Sequence, residues 1–160
     1  MIDGAAITTL LKSLKVSHVV WVPDSALGPW EQSFAEAPEI TLVRVCREGE
    51  AWALAAGLHL GGKHPVVMMQ TTGLFESGDA LRNVLFDLGI PLFAIIGYRS
   101  FLLPDSPDTT RRFAEPVLQA WQIPYHVVHD PEELPMLAEH YQYCLENDSP
   151  GVTLIAEGRM

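Results

Sequence analysis

Unbroken apolar runs bounded by turn residues, each followed by a helical pattern, limit what this chain can fold into more than any other feature. Residues 65–70 read Pro-Val-Val-Met-Met-Gln and residues 91–97 read Pro-Leu-Phe-Ala-Ile-Ile-Gly. Runs without polar alternation suit strands buried on both faces, as in a parallel sheet covered by helices on each side. Shorter runs at 18–22, 41–46, 125–128 and 151–156 supply four further strands, each an apolar stretch carrying β-branched or aromatic residues. Helical spacings separate them: Ile7, Leu10, Leu11 and Leu14, then Ala51, Leu54, Ala55 and Leu58 closed by Gly61-Gly62. A helix around 79–86, a helical stretch after Thr110 and a helix from about 132 to 145 complete the series,. The alternation predicts a doubly wound α/β domain with a mostly parallel six-stranded sheet, helices on both faces and right-handed crossovers.

A length of 160 residues suits a single domain, 1–160, with a substantial core,. With 48% hydrophobic and 19% charged residues the composition is that of a globular protein rather than a disordered one,. A formal charge of −10 argues against nonspecific binding to nucleic acid or to anionic membrane,. No window reaches the roughly 18 apolar residues of a membrane span, and the first residues lack a basic region followed by an apolar run, so a cytoplasmic protein is expected. Cys46 and Cys144 lack Cys-x-x-Cys spacing and are expected to be reduced thiols,. His126 and His129 flank a short strand with no third ligand nearby, which predicts a surface or edge role rather than a metal site,.

Ligands of open α/β sheets collect at the carboxyl ends of the strands, here 23–25, 47–50, 71–73 and 98–100,. The segment Arg47-Glu48-Gly49-Glu50-Ala51-Trp52-Ala53-Leu54-Ala55-Ala56-Gly57 puts a carboxylate at a strand end, just before a largely apolar helix. A carboxyl placed where water is scarce can share a proton with a heterocyclic nitrogen. The alternative is that Glu48 and Glu50 both serve only to favour a helix amino terminus through its dipole.

This segment resembles the strand–Glu–helix element of the pyrimidine-binding (PYR) domain of thiamine-diphosphate enzymes, with Gly57 following Glu48 at the family's distance. The resemblance implies the PYR-domain fold and singles out Glu48 rather than Glu50. In that family the glutamate hydrogen-bonds the aminopyrimidine and promotes the tautomer that activates the thiazolium carbon, so the cofactor carries the difficult chemistry. Val22-Pro23-Asp24-Ser25 is similar to the loop after the first strand of phosphonopyruvate and sulfopyruvate decarboxylases, which implies that Asp24 and Ser25 border the substrate. As residues alone they equally suit a turn and a helix cap.

Gln70-Thr71-Thr72-Gly73-Leu74-Phe75-Glu76-Ser77-Gly78-Asp79-Ala80-Leu81 is similar to the family's loop after the third strand, implying pyrimidine and substrate contacts from Thr72, Gly73 and Leu74. It departs from the Asn-Ser-Gly-Leu-Gly-Asn type of pattern of a single-chain phosphonopyruvate decarboxylase, which leaves the substrate open. Ile96-Gly97-Tyr98-Arg99 resembles the close of the fourth strand in sulfopyruvate decarboxylase α subunits. Arg99 and the pair Arg111-Arg112 are candidates for a sulfonate, phosphonate or carboxylate, which a guanidinium fork fits bidentately. Pairing with local acids is their other reading.

The family also uses a diphosphate-binding (PP) domain marked by Gly-Asp-Gly and a downstream Asn that hold magnesium, whereas this sequence has only Gly78-Asp79-Ala80. The resemblance therefore implies that Glu48 is half of a site. Thiamine diphosphate and Mg2+ would be anchored by a separate β subunit bearing the PP domain, in an α2β2 or larger hetero-oligomer. The implied reaction is decarboxylation of a small 2-oxo acid, such as 3-sulfopyruvate or 3-phosphonopyruvate, to an aldehyde and carbon dioxide. Another thiamine-diphosphate decarboxylase or carboligase, or a noncatalytic binding domain of the same architecture, are the alternatives. Residues 100–110, rich in Pro, Asp and Thr, suit either a mobile lid or a plain surface connection,.

Overall fold

A computed structural model of the chain describes residues 2–158. Six strands, β1 (His18–Trp21), β2 (Thr41–Arg44), β3 (Pro65–Gln70), β4 (Phe93–Tyr98), β5 (Tyr125–Val128) and β6 (Gly151–Ala156), form one sheet in the order β2-β1-β3-β4-β6-β5. Every pairing is parallel, with Val20 opposite Val67 across β1 and β3 and Met68 opposite Ile95 across β3 and β4. The sheet is thus wholly parallel where the sequence predicted a mostly parallel one. The expected unbroken apolar strands β3 and β4 are internal and carry almost no exposure, as does β6 between β4 and β5.

Alternate strand residues feed two cores. On one face Val20, Val67, Met69, Ala94, Ile96, Val152 and Leu154 pack under α3 (Glu48–Leu60), α5 (Gly78–Arg82) and α6 (Thr110–Ala120). On the other, Val19, Trp21, Val66, Met68, Ile95 and Ile155 pack under α1 (Gly4–Ser13), α2 (Glu31–Ala35) and α7 (Leu134–Glu146). The period-2 geometry of a strand sends successive side chains to these opposite layers, which is why uninterrupted apolar runs were required.

Two stretches differ from the sequence expectation. Residues Thr71–Glu76, expected as a loop, form a short helix, α4. Threonine and glycine are weak helix formers, but complete burial of Thr71 and Leu74 fixes the segment, so packing overrides propensity,. The helix expected around 79–86 is α5 followed by a π-helical turn, Asn83–Asp87. Cys46 is exposed, Cys144 is buried, and both are free thiols. No helix among the described residues is long and apolar enough to cross a membrane, and no cluster of three metal-ligating side chains occurs among them.

Candidate active site

Strand order reverses beside β1, since β2 lies on one side of it and β3 on the other. The carboxyl ends of these strands are where such a sheet opens a crevice. Glu48 stands there as the first residue of α3, half-buried, immediately after the extended Arg47. Its side chain lies directly on Gly73 of α4. A Cβ built on Gly73 would meet Glu48 Cγ at 2.5 Å, Oε1 at 2.7 Å and Cδ at 2.9 Å, closer than real side chains approach. Glycine at 73 is what lets the carboxylate occupy this position.

The acids around the start of α3 divide their roles. Glu50 Oε2 accepts a hydrogen bond from the Cys46 N–H at 3.0 Å, so its carboxylate is engaged by the chain just before α3. Glu76, at the end of α4, accepts from the Gly49 N–H at 3.1 Å and from the Arg47 guanidinium. The Arg47 hydrogen bond first, and the Gly49 N–H next, hold the Glu76 carboxyl below the usual carboxylate range, against a small opposing effect of burial. Glu48 differs from both: no described residue donates a hydrogen bond to its carboxylate. Two further polar atoms at the end of β3, Gln70 Oε1 and Thr71 Oγ1, are buried without a partner. An acceptor-only carboxylate at the start of α3 and two unmatched polar atoms at the end of β3 suit a polar heterocycle with both donor and acceptor edges, so the residues present fit an aminopyrimidine,.

The other predicted residues are placed as follows. Asp24 is occupied by the chain itself: Oδ1 accepts from the Ala26 and Leu27 N–H groups at 2.8 Å each, and Oδ2 accepts from Trp21 Nε1 at 3.1 Å. This orders the loop and leaves Ser25 exposed at its tip. The same loop crosses the end of β4 at Gly97, where an added Cβ would stand 2.7 Å from that of Ala26. Thr72 is half-buried beside Gly73, whereas the Leu74 side chain is fully buried in the core, leaving only its backbone for a ligand. Gly57 sits on the exposed side of α3 with open space where a Cβ would be.

Arg99 Nε pairs with Asp108 Oδ2 at 2.8 Å, and Ser100 Oγ donates to the same oxygen at 3.1 Å. Burial opposes ionisation of Asp108, but the Thr110 N–H and hydroxyl, the Ser100 hydroxyl and the Arg99 charge together keep its carboxyl below the usual range. Residues 100–110 are therefore latched at both ends. Arg111 lies over the Phe101 ring at 5.7 Å, and its carbonyl accepts from Tyr98 Oη at 3.1 Å. Arg112 lies over Phe113 at 5.2 Å, and both arginines border an open recess formed by residues 106–109. Burial first, then the Glu115 hydrogen bond, raises the Tyr98 phenol. His126 and His129 are exposed, with the His126 ring edge-on to buried His140 at 4.5 Å.

The structure brings Glu48 and Gly73 into contact and keeps Arg99 on Asp108. Glu76 belongs to this site, and Gln70 and Thr71 adjoin Thr72 and Gly73 in sequence at the end of β3, although the sequence did not single them out. The one sequence signal for them is their position within the stretch following β3.

Residues 3–104 match the family described as thiamine pyrophosphate enzyme, N-terminal TPP binding domain. The sulfopyruvate decarboxylase subunit alpha of Methanocaldococcus jannaschii is 29% identical over 148 residues, covering 89% of this chain and 88% of that protein. The subunit of the same name from Methanothermobacter thermautotrophicus is 28% identical over 135 residues, covering 82% and 81%. The phosphonopyruvate decarboxylase of Streptomyces viridochromogenes is 34% identical over 99 residues, which is 62% of this chain and 25% of that one. In fold, the chain matches benzoylformate decarboxylase from Polynucleobacter necessarius with a TM-score of 0.77 at 23% identity, covering 98% of this chain and 30% of that chain. With more than half of its residues matched, and an all-parallel sheet of the expected order of elements, the chain belongs to the thiamine pyrophosphate enzyme family as an N-terminal TPP binding domain.

Proposed function

We propose that this chain is the α subunit of a thiamine-diphosphate-dependent 2-oxo acid decarboxylase that acts on 3-sulfopyruvate or 3-phosphonopyruvate and releases the aldehyde and carbon dioxide. The observation that carries the reading is the Glu48 carboxylate, which lies on Gly73 and takes no hydrogen bond from the described residues while its neighbours Glu50 and Glu76 are both engaged. Thiamine diphosphate, when bound, supplies a carbon nucleophile for the 2-oxo group and an electron sink for loss of carbon dioxide. The protein's share is to orient and to move protons. Glu48 holds and releases a proton at its carboxylate, facing a ring nitrogen. Gly73 keeps that carboxylate in reach, and Gln70 and Thr71 offer the buried oxygens that the fold leaves unmatched.

Thr72, Ser25 and Asp24 border the substrate, and Asp24 also orders the loop that carries Ser25. Arg99 and Arg111 lie at the end of β4 and the start of α6, where a second acidic group of the substrate would be met. Arg99 would exchange its Asp108 partner for that group. Magnesium and diphosphate contacts come from a β subunit with a PP domain and Gly-Asp-Gly, in an α2β2 or larger assembly. The relatives named subunit alpha support a partner of this kind.

The test is to co-express the chain with a PP-domain partner and compare it with Glu48→Gln. The expected result is loss of at least two orders of magnitude in turnover and in exchange of the thiazolium C2 proton, with the melting temperature retained. A Glu48→Gln complex with full activity refutes the reading.

A further inference from the structure

Helix α3 begins without a competent cap. Its N-cap is Arg47, a side chain with donors and no acceptor, and it makes no capping hydrogen bond of its own,. The first N–H groups of a helix need acceptors from elsewhere. They find one 27 residues on: Glu76 Oε2 accepts from the Gly49 N–H at 3.1 Å. Glu76 Oε1 accepts from Arg47 Nε at 3.0 Å and from Nη2.

Glu76 and Gly73 are three residues apart on the same short helix, and so share a face. α4 therefore holds the Glu48 region twice, with Gly73 under the Glu48 side chain and Glu76 on the N–H of the next residue, Gly49. The ion pair itself is no great source of stability, because the Arg47 side chain is 75% exposed and exposed pairs contribute little,. Its geometric effect is different. The two ends of the Glu76 carboxylate tie the residue before Glu48 and the residue after it to one point on α4.

We propose that Glu76 is a positioning residue for the thiamine-diphosphate reaction: by capping α3 and holding Arg47, it fixes the reach of the Glu48 carboxylate toward the cofactor's ring. The proposal rests on the role given to Glu48 above. A displacement of about 1 Å in a reacting group costs on the order of a hundredfold in rate, so a tether of this kind is worth more to turnover than to folding.

Glu76→Ala, Glu76→Gln and Glu48→Gln variants test it, each made in the full chain. The first readout needs no cofactor: amide hydrogen exchange at Gly49 in the isolated chain. Glu76→Ala should speed exchange there by roughly tenfold or more while the melting temperature changes little. Glu76→Gln keeps one acceptor oxygen and should restore most of the protection.

The second readout is the complex with its partner subunit. Glu76→Ala should lower kcat by about tenfold or more, leave the KM for the 2-oxo acid within about twofold, and be largely rescued by Glu76→Gln. Unchanged amide exchange and kcat in Glu76→Ala overturn the proposal, as does a Glu76→Gln variant no better than Glu76→Ala. An active Glu48→Gln complex would instead remove the functional reading, whereas an inactive one beside an unaffected Glu76→Ala removes this inference alone.

Discussion

Replacing Gly73 by alanine separates what the Glu48 contact does for activity from what it does for folding. The added methyl would stand 2.5 Å from Glu48 Cγ, about 0.9 Å short of ordinary contact,. The atoms it meets belong to a flexible side chain rather than to backbone, and Glu48 is half-buried at the edge of the crevice, so the side chain can swing away at little cost. A shift of that size at a reacting carboxylate predicts a fall in turnover on the order of a hundredfold, or about 2.7 kcal/mol in activation free energy. Folding responds in the opposite sense. Position 73 lies inside α4, where alanine favours the helix over glycine by about 0.5–1 kcal/mol,. The Gly73→Ala chain should therefore melt at the same temperature or slightly higher. Decarboxylase turnover of the complex and thermal unfolding of the isolated chain measure the two effects. Turnover within threefold of the parent, or a loss matched by a fall in melting temperature, refutes the argument.

The other predictions concern buried groups. Burial, and then the neighbouring His126, pushes His140 down to about 4. An unfolded chain takes up a proton on this residue near pH 6.5 and the folded one does not, so its contribution to stability is complete above about 6.5 and is lost as pH falls toward 4. His140→Leu should flatten the pH dependence of the unfolding free energy, measured by urea titration between pH 7 and 5, by up to about 1.4 kcal/mol per pH unit, and parallel curves would contradict it. Thr71→Val removes a fully buried hydroxyl without a partner. It should stabilise the isolated chain by about 1–2 kcal/mol and weaken thiamine diphosphate binding by the complex; calorimetric affinity equal to the parent's takes Thr71 out of the site.

Much of the architecture was legible because each layer imposes its own period. The apolar runs at 65–70 and 151–156 coincide with β3 and β6, since a strand buried on both faces leaves no room for polar alternation, and the run at 125–128 coincides with the edge strand β5,. The 71–76 segment was not legible as a helix, because Thr, Thr and Gly argue against one and only burial of Leu74 against the sheet decides it,. Chemistry alone left Glu48 and Glu50 equivalent. Their division of labour depends on which carboxylate reaches the Cys46 N–H and which reaches Gly73, a matter of side-chain direction that sequence spacing does not carry. Glu76 was hidden for a related reason: its partners lie 27 and 29 residues upstream.

The strand order has a consequence for how the chain is made. Among the described residues β6 is the last strand in the sequence, yet it inserts between β4 and β5 and is the one with which β5 pairs. As the polypeptide leaves the ribosome, β2, β1, β3 and β4 can assemble in turn, while the outer edge of β4, with Phe93 to Tyr98 unpaired, stands open until residues 151–156 arrive. That edge is long and apolar, the sort that recruits foreign strands. The half of the sheet that carries Glu48 can thus be in place first, and the newborn protein is most vulnerable to aggregation on its opposite side.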